Sequence, residues 1–254
     1  MTDELADHPL FEQPLSEQPL AADTVGLLEG LTTTRSIRRY TDEPIPPKDL
    51  RDILFAASRA PSGSNRQPFR FIVLTNGEIA REAKAIVGRG ARAVWSAKRT
   101  NEGYDKGSGN DPNSPKARMA RSMERYVDQM ETVPALVLPC FVRHRAPSPT
   151  EGASVYPACQ NLLLAARALG YGGVITIWHA YVEEELRALL EIPDEATISA
   201  TITLGRPEGN HGPVRRVPLS SFVYDGKWGD QAPWAIDPPG TRHTGAGPPP
   251  ATTS

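Results

Sequence analysis

Two short blocks carry the densest chemistry in this chain. The first, Arg35-Ser36-Ile37-Arg38-Arg39-Tyr40, sets planar, permanently charged guanidinium forks beside a hydroxyl. That combination grips a phosphate through paired hydrogen bonds, or offsets negative charge on a ring. The second, Ala60-Pro61-Ser62-Gly63-Ser64-Asn65-Arg66-Gln67-Pro68-Phe69, is a turn of small polar residues held between prolines. Its backbone N–H groups can come close to a flat ring.

The elements that must position these blocks follow from local pattern. Pro46 and Pro47 open a segment in which Leu50, Ile53, Leu54 and Ala57 recur at i, i+3, i+4 and i+7, which predicts a helix from Pro47 to Arg59 with one buried face. That helix carries the chain from the arginines to the turn, so the two blocks read as one site. Phe69 to Thr75 is a mostly apolar run and predicts an interior strand. Further on, the pattern predicts a helix over 79–87, a strand over 134–142 in which Pro139 demands an edge or a bulge, and a helix over 153–169 stopped by Gly170. A strand over 173–178, a helix over 182–190 and a strand over 197–204 complete the body. The fold class is α/β, a three-layer sandwich with about four or five strands. Gly88-Arg89-Gly90-Ala91-Arg92-Ala93 has the shape of a dinucleotide fingerprint, but a helical pattern precedes it where a strand is required, so it reads as a helix-breaking turn.

The order Arg-Ser-x-Arg, paired prolines before a helix, Ala-Pro-Ser-Gly-x-Asn-x-Gln-Pro-Phe and an apolar strand resembles the FMN-dependent nitroreductase family. Later landmarks agree: Gln160-Asn161 ahead of an apolar helix, Ile175-Thr176-Ile177-Trp178, Leu190-Glu191-Ile192-Pro193, Thr203-Leu204-Gly205-Arg206-Pro207 and Arg215-Arg216-Val217-Pro218. The similarity runs from about Leu31 to about Trp228. It implies a mixed sheet flanked by helices and a homodimer with noncovalent FMN at the subunit interface. It also implies NAD(P)H as electron donor, with NADPH slightly favoured, and reduction of small electron-poor nitroaromatic or quinone-like acceptors by ping-pong hydride transfer. Carried over residue by residue, it assigns Arg35, Ser36, Arg215 and Arg216 to the flavin phosphate and Arg38 to the pyrimidine edge. Pro61, Ser62, Gly63, Asn65 and Gln67, with Thr176, Ile177 and Trp178, complete the flavin contacts. No catalytic acid or base is expected, because the cofactor carries the chemistry. Alternatives are a flavin-binding or storage module without turnover, a flavin-fragmenting enzyme, and a reductive dehalogenase. Dehalogenases of this fold hold their substrate with a Glu four residues before a Tyr, and no Tyr here has that neighbour.

Bulk properties narrow the field. The chain has 254 residues and a net charge of −2, enough for one large domain and no general field for nucleic acid. Cys140 and Cys159 lack metal-ligand spacing and read as buried thiols, so no metal is expected. Lack of a leader pattern or an apolar span points to a cytoplasmic protein. Residues 1–25, with the near-repeat at 11–20, read as a flexible arm, 26–228 as the FMN-binding domain, and 229–254 as an extension disordered after 234. Residues 95–125, rich in Gly, Asn and Pro, read as a lid. Trp228 and Trp234 need something to bury against, for which the resemblance offers the partner subunit. Arg143-His144-Arg145 reads either as a solvated turn or as a clamp for the extra phosphate of NADPH.

Overall fold

The computed structural model describes residues 14–209 and 211–245, so the first ten residues, the opening of the near-repeat at 11–13 and the last residues of the tail lie outside it. The chain divides into two compact units, residues 1–209 and 210–254, rather than at 228.

The first unit is built on a sheet of five strands, β1 (Phe69–Leu74), β2 (Ala135–Val142), β3 (Gly172–Thr176), β4 (Ala196–Ile198) and β5 (Thr201–Gly205), in the order β1-β2-β5-β3 with β4 also paired to β2. All these pairings are antiparallel, and the parallel component expected of a mixed sheet is a single bridge from Ser36 to Gly173 on the free edge of β3. Helices α1 (Leu27–Thr33), α2 (Pro47–Ser58), α3 (Glu78–Asn101), α4 (Pro115–Asp128), α5 (Tyr156–Ala168) and α6 (Glu183–Leu189) complete it. Side chains alternate across the sheet, as the two-residue period of a strand requires. Leu136, Leu138 and Cys140 face a core shared with α3, α4 and α6, while Ala135, Val137 and Phe141 face one shared with α2 and α5. Three layers follow.

β2 is central, so Pro139 cannot sit on an edge. It sits at a bulge instead: Val137 pairs with Ile202 and Cys140 with Ile198, so Ser199 and Ala200 bring one extra residue opposite β2. The Ser199 N–H donates to the Pro139 carbonyl at 2.8 Å. Helix α5 ends where expected. Gly170 takes φ +81°, its N–H reaches Arg167 O at 3.1 Å and that of Tyr171 reaches Ala166 O at 2.8 Å, the paired bonds of a Schellman stop. The buried Lys84 ammonium donates to Thr75 O (2.6 Å) and Val133 O (2.8 Å), tying the exit of β1 to the approach of β2, and burial lowers its pKa.

Three expectations change. Residues 15–24 are not loose: Arg51 donates to the carbonyls of Leu15, Gln18 and Pro19, Asp52 accepts from Ala21 N at 2.8 Å, and Thr24 N reaches Ala168 O at 2.7 Å. A basic and an acidic residue adjacent on α2 thus satisfy the backbone of a segment without periodicity. In the second unit, residues 235–245 are ordered by a Pro238-Pro239-Gly240-Thr241 turn, with Thr241 N donating to Pro238 O at 3.2 Å and Gly240 at φ +82°. Gly88 and Gly90 lie inside α3, both buried, rather than ending it. Burial against neighbours overrides their weak helix propensity.

The glycines differ in what they permit. A Cβ on Gly90 would stand 2.9 Å from the Trp178 carbonyl, whereas one on Gly88 meets the mobile ends of Glu131 and Arg92 at 3.1 and 3.2 Å. Gly90→Ala is therefore expected to destabilise by about 1–3 kcal/mol, because backbone must shift. Gly88→Ala should be neutral or stabilise by up to about 1 kcal/mol through helix propensity. Urea unfolding of the two variants checks this; equal effects would show that close approach to Trp178 does not fix Gly90.

Candidate functional site

The first block runs along the free edge of β3. Ile37 N donates to Gly173 O at 2.9 Å, which leaves Arg35 and Ser36 exposed beside the start of that strand. Arg38 turns inward, where its charge acts on the phenols of Tyr40, Tyr104 and Tyr126. A buried hydroxyl chain lies there: Tyr126 Oη and Thr203 Oγ1 are 2.6 Å apart, Thr203 Oγ1 and Tyr40 Oη 2.9 Å, and Tyr40 Oη donates to Ile37 O at 2.6 Å. Burial pushes the Tyr40 and Tyr126 phenols well above their ordinary range, so both remain neutral donors. The Nε of Arg38 is buried with no hydrogen-bond partner. An orphaned donor on a cation is costly unless something accepts from it.

The second block is a tight turn before β1. Ser64, Asn65 and Gln67 have φ of 53°, 50° and 49°, the left-handed region that L residues rarely occupy. Ser62 organises it, its Oγ accepting from Gln67 N at 2.9 Å, while Gly63 N donates to Ser154 Oγ at 3.1 Å. Pro61, Gly63, Asn65 and Gln67 are exposed and Ser62 is half-buried.

These two blocks do not meet within one chain. The turn enters β1 at one edge of the sheet and is fastened on the α5 side, whereas Ser36 lies beyond β3 at the other edge and Arg38 points to the α4 side. Four strand spacings separate β1 from Ser36, roughly 19 Å. Helix α2 does connect them, but by spanning the sheet.

Residues Thr176, Ile177 and Trp178 do not share one strand. β3 stops at Thr176, whose Oγ1 donates to Thr201 O at 3.4 Å; Ile177 is 61 % exposed, and Trp178 opens a short 3-10 turn to Tyr181. The Trp178 ring is buried against Tyr126, with centroids 5.3 Å apart. Ile177 and Thr176 therefore offer the accessible surface there. Tyr181 walls a groove of about 370 Å³ with Ala93, Ala97 and Asn101 of α3.

In the second unit, Arg215 and Arg216 are exposed, and Arg216 donates to Arg215 O at 2.9 Å. The guanidinium of Arg143 is taken by Glu151 at 2.7 and 3.2 Å, which removes it as a free phosphate clamp. The thiols of Cys140 and Cys159 are free and buried, and burial pushes them up to about 11 and about 12. Among the described residues there is no group of three or more possible metal-ligating side chains, and no helix long and apolar enough to cross a membrane.

The arrangement fits a planar, anion-bearing cofactor. A cation with an unmet buried donor, a stiff turn rich in small residues and an exposed Ile177 at the end of β3 are the parts a flavin-type ring would need, although one chain does not gather them all. Comparison with known proteins decides the family: the model of the nitroreductase family matches residues 31–206. The chain belongs to the nitroreductase family. A protein named NADH dehydrogenase from Thermus thermophilus is 30% identical over 193 residues, covering 74% of this chain and 90% of that one. A 4-nitrobenzoate reductase from Nocardioides sp. is 28% identical, covering 70% and 78%. A solved structure described as a nitroreductase in complex with FMN, from Desulfovibrio desulfuricans, superposes with a TM-score of 0.58 at 26% identity, covering 81% of this chain and 99% of that one. The nitroreductase-family chain is accordingly an oxidoreductase.

Pattern reading missed the tyrosine network around Arg38. Its local signal was available in β5, where Thr201 and Thr203 occupy alternate positions of a buried strand and must each find a partner. Thr203 finds Tyr40 and Tyr126, and Thr201 finds His179, whose Nδ1 lies 3.1 Å away. His179 is buried at the bulge and its ring also donates to Ile198 O.

Burial lowers the pKa of His179, with Glu183 opposing. Its folded pKa thus lies below the ordinary value of about 6.5. The stability it contributes is complete above pH about 6.5 and is lost as pH falls through the lowered folded value. Urea unfolding between pH 7.5 and 5 should show wild type losing more stability than His179→Gln. Parallel curves would remove His179 from the acid response.

Proposed function

We propose that this protein is an NAD(P)H-dependent FMN oxidoreductase that reduces nitroaromatic or quinone-like acceptors. The observation that carries this reading is the buried Nε of Arg38, a guanidinium donor without an acceptor, in a chain of this family. Bound FMN would supply two-electron chemistry, taking hydride from NAD(P)H and passing it to the acceptor in a ping-pong cycle. The chain's residues bind, orient and tune. Arg38 would meet the pyrimidine edge, where negative charge collects on reduction. Tyr40, Thr203 and Tyr126 hold that cation in a neutral, hydroxyl-lined surround. Pro61, Ser62, Gly63, Asn65 and Gln67 would present the stiff turn to the ring, and Thr176, Ile177 and Trp178 the opposing strand end, with Trp178 acting through its packing on Tyr126. Arg35 and Ser36, and in the second unit Arg215 and Arg216, are proposed phosphate ligands. Residues 95–125, the end of α3, the loop after it and most of α4, are the proposed lid.

We infer further that the working form is a homodimer. The separation of the two blocks within one chain supports a site completed by the turn of a second copy. Exposed Leu27, Leu28, Ile177 and Tyr181, with Trp228 91 % and Trp234 66 % exposed, supply apolar surface for such a contact. The purified protein is expected to sediment as a dimer, to release FMN on heat denaturation, and to bleach with NADPH under anaerobic conditions until a nitroarene restores its colour. A monomer with full turnover would sink the composite site, recovery of FAD would sink the cofactor assignment, and bleaching without recovery would favour a storage role.

Arg38 and Arg216 should separate tuning from holding. Arg38→Ala removes a cation that acts more strongly on the anionic reduced ring than on the neutral oxidised one, so the midpoint potential should fall. A partly buried charge contact is worth about 1.5–3 kcal/mol, which for two electrons corresponds to about 30–60 mV. Arg216→Ala should weaken FMN binding and leave the potential of the bound fraction unchanged. Potentiometry on flavin-saturated variants measures both; an unchanged potential in Arg38→Ala would remove its tuning role.

A further inference from the structure

The tail is folded back by three successive devices in the second unit. Asp237 Oδ2 accepts from Leu219 N at 3.0 Å, which pins the start of the tail near residue 219. The Pro238-Pro239-Gly240-Thr241 turn then reverses the chain, closed by Thr241 Oγ1 to Pro238 O at 2.7 Å as well as by its backbone bond. Finally Thr244 N donates to Arg216 O at 3.0 Å, and His243 pairs in parallel with Arg216. Directly paired residues start from neighbouring backbone positions, so His243 and Arg216 leave the chain side by side, with Arg215 and Arg242 one residue before them.

The result is a concentration of basic groups in a chain whose net charge is −2. In the first unit Arg51, Arg92, Arg99, Arg125, Arg143 and Arg206 are among the arginines that each meet a carboxylate. No described carboxylate pairs with Arg215, Arg216, Arg242 or His243. Holding like charges together without a counterion is unfavourable, and an anion placed among them relieves it.

We propose that the returning tail makes Arg242 and His243 additional ligands, beside Arg216, for a phosphate monoester. This rests on the reading of the protein as an FMN and NAD(P)H enzyme. The same chemistry is offered by the phosphate of FMN and by the 2′-phosphate of NADPH. With Arg143 engaged by Glu151, the tail cluster is the better candidate for either.

The test uses the full chain, its Arg242→Ala/His243→Ala double variant, and a form ending at Asp237. Dissociation constants are measured for FMN and for riboflavin, which has the same ring without the phosphate, and kcat/KM is compared for NADPH and NADH. If the tail grips the flavin phosphate, both variants bind FMN about tenfold more weakly and riboflavin as wild type does, the loss of one charge-assisted contact. If it grips the nicotinamide cofactor, FMN binding is unchanged and the NADPH to NADH ratio of kcat/KM falls about tenfold. The double variant keeps the turn and the Asp237 anchor, so it reads out even if the shortened form unfolds. Unchanged FMN affinity together with an unchanged ratio overturns the proposal, as does an equal loss for FMN and riboflavin. A wild-type protein that binds neither flavin would instead overturn the broader functional reading.

Discussion

The structure depends on the satisfaction of β2. This strand is buried on both faces and paired on both sides, so each of its backbone groups must find a partner inside the protein, yet Pro139 removes one donor from its middle. The partner strand absorbs the misfit by giving one extra residue. That bulge divides β4 from β5, and it creates the space in which His179 bonds to Ile198 and Thr201. The short turn carrying Trp178 and His179 is thereby set against α3, which can approach only because position 90 has no side chain. A proline in one strand and a glycine in one helix thus fix where the chain leaves β3, and with it the surface offered by Ile177.

A second constraint acts on Arg38. It is enclosed by tyrosines, and its nearest ionisable neighbours stay neutral, so its charge is not spent on a fixed internal anion. In this respect it differs from Arg99, which is shared between Asp105 and Glu124 at the surface. The difference separates a cation that ties helices together from one available to a bound group.

Much of this was legible in the sequence where the signal was local. The paired prolines and the i, i+3, i+4, i+7 spacing placed α2 to within a residue, and Gly170 marked the end of α5. Pro139 announced an edge or a bulge without saying which of the two, or which strand would supply the extra residue. The left-handed turn was visible as composition but not as conformation, because Ser, Asn and Gln also adopt ordinary turns. What failed was decided at a distance. Gly88 and Gly90 look like helix breakers until their neighbours are known, Glu131 and Arg92 at the first and the Trp178 carbonyl at the second. Tyr40 and Thr203 are far apart in the chain, so nothing local links them. The tail lacked an apolar face and read as disordered, although Pro-Pro-Gly-Thr is a turn signal in its own right and Asp237 gives it an anchor. The two chemical blocks were identified, but their separation was not, because the length of α2 sets a span and not a direction.

The turn from Ser62 to Gln67 has one more consequence. Left-handed backbone costs an L residue on the order of 1 kcal/mol, and glycine would avoid that cost. Three such positions nevertheless carry Ser64, Asn65 and Gln67. A glycine would be supple in the folded chain and would lose more freedom on ordering, whereas a residue with a Cβ has few other places to go. The segment therefore gives up stability for stiffness: its curvature is cast by the chain itself, and whatever is laid against it must conform to the turn.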